Sequence, residues 1–193
     1  MLGIFTDNFR RVLYVQIWEH RLKVTDINTD LVFDEKPLMA IETSAEGKKN
    51  IVGICSAAEF KSDSNIELVN PFHHPRVLLS DFLVAEKILQ HAFRQLLGNK
   101  LFSLAPIVVV QPMEKTEGGL SIIEDRAFKE LMISAGARVG FTYVGPELSN
   151  HQLVQDLSSG SSSIIDKGKT NRGLLSASFF IIFIAFLWWV KSN

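Results

Sequence analysis

The stretch SDFLVAEKILQHAFRQLLGNKLFSLAPIVVVQP, residues 80–112, decides the fold class because it joins a helix pattern to a strand pattern. Ser80 is the predicted N-cap of the helix, Asp81 lies in its first turn, and Gly98-Asn99 is the predicted stop. Apolar residues recur between these ends at helical spacing: Phe82, Ala85, Ile88, Leu89, Ala92, Phe93, Leu96 and Leu97. The run from Ile107 to Val110 then predicts a strand buried on both faces.

The same two patterns continue on both sides of this stretch. Downstream, Ile122 to Ala135 predicts a second helix that ends at Gly136, and Arg138 to Val144 predicts another strand. The predicted upstream strands are Val12 to Ile17, Leu22 to Ile27 after the turn Glu19-His20-Arg21, a third region made of Leu31 to Phe33 and Leu38 to Ile41, and the weaker candidates Ile51 to Cys55 and Ile66 to Val69. This order predicts an α/β layered domain with a mixed five-stranded sheet, which matches a ribonuclease H-like core.

The apolar run GLLSASFFIIFIAFLWWV, residues 173–190, predicts a transmembrane helix because it contains no charge over about 27 Å of helix. The residues expected to anchor it are Gly173, Phe179, Ile182, Trp188 and Trp189, the two tryptophans at the headgroup level. Basic residues Lys167, Lys169 and Arg172 precede the run, and Lys191 follows it. This bias predicts a tail-anchored, single-pass membrane protein whose N-terminal domain is cytoplasmic.

Composition and charge add few constraints on function. The expected organisation is a domain over 1–148, a flexible Ser- and Gly-rich linker over 149–172, and the span over 173–190. The formal net charge of −1 gives no reason to expect a nucleic-acid partner. The single cysteine, Cys55, predicts a small core residue in a reducing compartment.

Several motifs together resemble one known family. They are Pro71, Asp81-Phe82, Glu86-Lys87, the valine-rich strand Val108 to Val110, Glu124-Asp125-Arg126-Ala127 and Ala135-Gly136-Ala137-Arg138. In these residues the chain resembles MreB, the rod-shape-determining actin-like ATPase, over roughly 1–148 and most specifically over 71–138. The resemblance implies an actin-like half-domain and a bacterial inner-membrane location. It also places at Glu124 the glutamate that helps to position the attacking water.

The chain departs from that family where the family binds nucleotide. The first phosphate loop, Asp-Leu-Gly-Thr in the family, is Gln16-Ile17-Trp18-Glu19 here, so the metal-side carboxylate is lost and Glu19 would repel phosphate. The second half, with its own phosphate loop, does not follow, and the crossing helix is replaced by Gly145-Pro146-Glu147-Leu148-Ser149-Asn150. We therefore expect a pseudo-ATPase with no cofactor and no catalytic residue. In it Glu124 is either vestigial or simply an acidic residue near the start of a helix, where it interacts favourably with the helix dipole.

A metal site is also not expected from the sequence. The adjacent pair His73-His74 would point in opposite directions on an extended chain, and no cysteine lies nearby. The nearest obvious carboxylate in the sequence is Asp81.

Three functions follow as hypotheses. The leading one is a non-catalytic, membrane-anchored scaffold that docks onto a filament or a membrane-associated assembly in cell shape or envelope synthesis. The second is a membrane-bound ATPase that uses Glu124 and is completed by a partner chain. The third is a cytoplasmic docking subunit of a secretion or pilus complex. An isolated half-domain also leaves a surface exposed, which predicts a homo-oligomer or an obligate protein partner.

Overall fold

The computed structural model describes residues 11–59, 65–98, 105–149 and 152–153. These residues belong to one compact unit, Met1–Val154. The elements in chain order are β1 (Val12–Ile17), β2 (Leu22–Asp26), β3 (Val32–Glu35), β4 (Met39–Thr43), β5 (Lys49–Ile54), α1 (Ser56–Glu59), β6 (Ile66–Val69), α2 (Phe82–Leu97), β7 (Ile107–Pro112), α3 (Ile122–Ser134) and β8 (Val139–Thr142).

The central sheet has five strands in the order β3-β2-β1-β7-β8. The first three are joined by antiparallel pairing, whereas β1, β7 and β8 are parallel. The predicted mixed five-stranded sheet is therefore confirmed. The parallel pair at its centre runs in register from Val12 opposite Ile107 to Ile17 opposite Pro112.

A second sheet of three strands, in the order β5-β4-β6, was not predicted. The prediction of one strand region made of Leu31 to Phe33 and Leu38 to Ile41 is wrong, because these residues form β3 and β4 in different sheets. Pro37 lies between them and cannot donate a hydrogen bond to a strand ladder, so β3 and β4 separate into different sheets.

The helices α2 and α3 pack on one face of the central sheet. The first contacts β2 and β3, the second contacts β7 and β8, and the two helices contact each other. Their core side chains include Ile88, Phe93, Phe128 and Leu131, all almost fully buried. Gly140 on β8 permits the close approach of α3, because a Cβ there would lie 2.9 Å from the Cβ of Met132.

The start of α2 differs from the prediction by one residue. Asp81, not Ser80, is the N-cap, and its Oδ1 accepts a hydrogen bond from the Val84 N–H at 3.0 Å. The Ser80 hydroxyl instead donates to the Pro71 carbonyl at 2.8 Å. Both residue types cap helices well, so this tertiary contact decides between them.

The transmembrane helix in the predicted fold class, and with it the predicted single-pass membrane location, is contradicted. Among the described residues no helix has both the length and the apolar character needed to cross a membrane. The longest, α2, has 16 residues and includes Glu86, Lys87 and Arg94, whereas a span needs about 20 mostly apolar residues. The predicted anchor residues Gly173, Phe179, Ile182, Trp188 and Trp189 lie outside the described residues, as does almost all of the predicted linker.

Candidate functional site

The candidate site lies at the carboxyl ends of the parallel strands β1 and β7, the edge where open α/β sheets bind their ligands. The chain leaves β1 through a tight turn in which the Trp18 N–H donates to the Arg21 carbonyl at 2.9 Å. The guanidinium of Arg21 lies over the Trp18 ring at 5.1 Å and also binds Asp34 on β3, with Nε to Oδ1 at 2.7 Å. These contacts give the turn a fixed shape.

Glu19 occupies the centre of this turn and joins several segments. Its backbone N–H donates to Oε2 of Glu114 at 2.7 Å, and its carbonyl accepts from Nδ2 of Asn70 at 2.8 Å. Its carboxylate binds Lys115, with Nζ to Oε2 at 2.9 Å, and contacts Nδ1 of His73. Hydrogen bonds from Lys115 and His73 hold the pKa of Glu19 below its usual range, so the side chain carries a negative charge at neutral pH.

Two histidines lie against this glutamate. The rings of His20 and His73 stack with their centroids 5.5 Å apart, and Nε2 of His20 lies 3.8 Å from Oε1 of Glu19. The neighbouring His74 has other partners: its Nδ1 accepts from the Arg76 N–H at 3.2 Å, and its carbonyl accepts from Lys115. In the sequence only the pair His73-His74 is visible as a candidate for a metal site. Glu19 and His20 are remote from it in the chain, and the structure brings them to His73.

The remaining polar groups at this end belong to the face of β1 and β7 that points away from the helices. The hydroxyl of Tyr14 donates to Oε1 of Gln111 and accepts from the Leu148 N–H at 3.2 Å. The Gln111 amide donates to the Gly145 carbonyl at 2.6 Å. Burial raises the pKa of Tyr14 to about 12, so the hydroxyl stays protonated and can donate.

Gln16 extends the same polar layer toward the turn. Its Nε2 donates to Oε1 of Glu147 at 2.9 Å, and that carboxylate also lies 3.7 Å from Nζ of Lys23. The segment 145–148 belongs to the stretch 145–150, in which the crossing helix is predicted to be altered. It supplies a hydrogen-bond partner to each of the three polar side chains on this face of the sheet.

Glu124, the vestigial catalytic candidate, has a structural role at the start of α3. Its Oε2 accepts hydrogen bonds from the Ser121 N–H at 2.9 Å and from the Ser121 hydroxyl at 2.8 Å, while the Glu124 N–H donates back to that hydroxyl at 3.2 Å. This reciprocal arrangement is a capping box. Its carboxylate therefore serves as the hydrogen-bond acceptor for the Ser121 N–H at the start of the helix.

Comparison of the sequence with known proteins gives a partial match to a curated protein. No protein-family profile matches the chain. The uncharacterised protein YjaA of Escherichia coli (strain K12) is 38% identical over 69 residues, which make up 33% of this chain and 54% of that protein. The chain therefore spans about half the length of this curated relative.

Two solved structures are similar over most of the chain. MreB5 of Spiroplasma citri bound to ADP has a TM-score of 0.55 and 19% identity, over 70% of this chain and 38% of that one. The same protein bound to AMPPNP has a TM-score of 0.54 and 18% identity, over 71% and 39%. This chain is thus similar in structure to well under half of MreB5, and its described part has the fold of an MreB-like, actin-like half-domain.

Proposed function

We propose that this chain is a non-catalytic protein-docking module, an actin-like half-domain that binds a filament of actin-like subunits and does not hydrolyse nucleotide. The observation that carries the proposal is the turn after β1, whose backbone and charge are unsuited to phosphate. The MreB5 structures contain ADP and AMPPNP, and the resemblance to MreB implies that such a nucleotide would meet this turn through its phosphates.

The backbone donors of the turn are already used within the protein. A phosphate loop offers free N–H groups to the anion. Here the Trp18 N–H donates to Arg21, and the Glu19 N–H donates to Glu114. A phosphate would have to displace both contacts, and the indole of Trp18 occupies a position where the family has glycine.

Electrostatics at the turn also oppose an anion. Glu19 is ionised, and Lys115, the nearest cation, is already paired with it. A second negative charge close to Glu19 would be repelled by its carboxylate, so an anion is disfavoured at this turn. Glu124, which the ATPase hypothesis needs for catalysis, is held in its capping box.

Exposed apolar side chains on α3 support the docking part of the proposal. Ile122 and Ile123 are 82% and 80% exposed at the start of the helix. Ile133 is also exposed, and it lies close to the same stripe as Ile122 because eleven residues make about three helical turns. Large exposed apolar side chains at adjacent positions, here Ile122 and Ile123, are a feature of protein-binding surfaces.

Two measurements test the proposal. First, the purified chain is sedimented with preformed filaments of an MreB-type protein; we expect it to pellet with them. The double substitution Ile122→Asp with Ile123→Asp should abolish this, whereas the control Ile51→Asp on β5, an equally drastic change at an exposed position, should not.

Second, isothermal titration with magnesium-ATP should give no heat of binding. Micromolar binding of ATP would refute the non-catalytic assignment. Failure of the wild-type chain to pellet, or equal pelleting of the double variant, would refute docking through α3.

A further inference from the structure

One cluster of three side chains that could ligate a metal ion occurs among residues 11–59, 65–98, 105–149 and 152–153. It consists of Glu19, His20 and His73, whose ligand atoms all lie within 4.8 Å of one another. It is built from two segments that are far apart in the chain, the turn after β1 and the segment that leads from β6 to α2.

The two carboxylate oxygens of Glu19 have different surroundings. Oε2 is bound by Nζ of Lys115 at 2.9 Å. Oε1 faces both imidazoles, in direct contact with Nδ1 of His73 and 3.8 Å from Nε2 of His20. Lys115 thus neutralises one side of the carboxylate while the other side converges with two ring nitrogens.

The backbone around these ligands is fixed. Asn70 donates to the Glu19 carbonyl at 2.8 Å, and its own Oδ1 accepts from the Phe72 N–H at 2.9 Å. The Phe72 side chain is fully buried in the core, which anchors the residue immediately before His73. The Glu19 N–H in turn donates a hydrogen bond to Oε2 of Glu114. Two remote segments are therefore held together before any ion binds.

We propose that Glu19 Oε1, His20 Nε2 and His73 Nδ1 form a binding site for a divalent transition-metal ion of the zinc class. One carboxylate oxygen and two imidazole nitrogens suit zinc, whereas calcium and magnesium prefer oxygen alone. Three protein ligands leave a fourth position for water or for a group of a docked partner.

Only small movements are needed to close the site around an ion. Zinc bonds of about 2.0–2.2 Å in a tetrahedron place the ligand atoms about 3.4 Å apart. The side chains of His20 and His73 are 72% and 63% exposed, so rotation about their own bonds can bring both nitrogens to this separation. Nε2 of His20 moves toward Oε1 of Glu19, and Nδ1 of His73 moves away from it. The bound ion would join the β1 turn to the segment before α2, a link that does not depend on the proposed docking function.

Binding should weaken in acid because the imidazoles must be neutral to bind the metal. The charged group in contact with both imidazoles is Glu19, and Lys115 and Glu114 from the segment after β7 bind Glu19 in turn.

The test is isothermal titration of the full chain, free of any histidine tag, with zinc chloride at neutral pH. We expect one ion to bind per chain and His20→Ala and His73→Ala each to weaken binding by about tenfold or more. Two controls, His74→Ala and His91→Ala, should bind as the wild type does. Magnesium chloride should give no binding.

A second readout separates a local site from loss of folding. Zinc should raise the melting temperature of the wild type and not that of His73→Ala, while both proteins give the same circular dichroism spectrum. The proposal is overturned if wild-type zinc binding is absent, if His74→Ala weakens it as much as His73→Ala, or if His20→Ala leaves it unchanged.

Discussion

The two faces of the central strands are buried to the same degree but are built in different ways. Toward the helices, β1 and β7 present Leu13, Val15, Val108 and Val110, which pack in the apolar core. On the other face, Tyr14, Gln16 and Gln111 are 2%, 1% and 1% exposed. Tyr14 binds Gln111, and all three side chains bind the segment 145–148, whereas Oε1 of Gln16 is buried without a hydrogen-bond partner among the described residues.

The difference shows how stability is distributed in this fold. Apolar side chains gain free energy from burial wherever they find close packing, so the helix face tolerates changes that conserve volume. Buried polar groups gain little from a hydrogen bond but lose much when its partner is removed. The polar face therefore depends on a few residues of one short segment.

The largest effect is expected on the apolar face. Phe93→Ala should lower the free energy of unfolding by about 3–5 kcal/mol, because it leaves a cavity between α2 and the sheet. Urea unfolding measures this loss, and Leu83→Ala, an exposed position on the same helix, should change it by no more than about 0.5 kcal/mol. Equal losses in the two variants would contradict the assigned core.

A smaller loss is expected on the polar face. Tyr14→Phe leaves Oε1 of Gln111 and the Leu148 N–H without this hydroxyl, and should cost about 1–3 kcal/mol. Gln111→Leu should cost a similar amount. In the double variant the losses should be clearly less than additive, because the two residues share one hydrogen bond. Urea unfolding measures these losses. If the losses in free energy of unfolding were strictly additive, the two residues would not share a hydrogen bond, and the polar face would not differ from the apolar face in this way.

The capping box of α3 gives a reference that belongs to neither face. Ser121→Ala should cost about 1 kcal/mol, since the Glu124 N–H loses its acceptor at the helix start. Thermal unfolding followed by circular dichroism measures the loss. Glu117→Ala, in the exposed loop before the helix, is the matched control and should leave stability unchanged.

The smallest effect is expected for an exposed ion pair. Hydrogen bonding to Arg21 holds the pKa of Asp34 below its ordinary value, so this pair contributes stability above about pH 4 and loses it as pH falls through the lowered pKa. An NMR titration of the Asp34 carboxyl group measures that pKa directly. Arg21→Met should raise it to the ordinary value, whereas Arg126→Met should not change it.

The α/β order was predictable because its signals are local. The helical spacing of α2 and the valine run of β7 each lie within one short stretch, and both elements are found at nearly the predicted bounds. The second sheet was not predictable in this way. Its strands β4 and β6 are short, and β5 and α1 lie between them in the chain. They pair, for example, through Met39 and Val69, so no local period identifies their partnership.

The candidate site was predictable only in part. The replacement of a phosphate loop by Trp18-Glu19 could be read directly from the sequence, and the structure adds the use of both backbone N–H groups. The contact between Glu19 and His73 could not be predicted, because it depends on where the segment 70–74 crosses the end of β1. By contrast, Glu124 could be assigned to a helix start from its spacing to Ser121, because both residues lie in one short stretch.

The accessibility of Cys55 to a thiol reagent reports the unfolding of the structure around it. It is the single thiol of the chain, it is fully buried between β5 and α1, and burial raises its pKa to about 12. A thiol reagent can therefore modify it only after the surrounding structure has separated. At high reagent concentration the labelling rate becomes the opening rate, and at low concentration it reports the opening equilibrium. Labelling of this native cysteine therefore compares every variant above for the lifetime of its folded state as well as for its stability, and no cysteine has to be introduced.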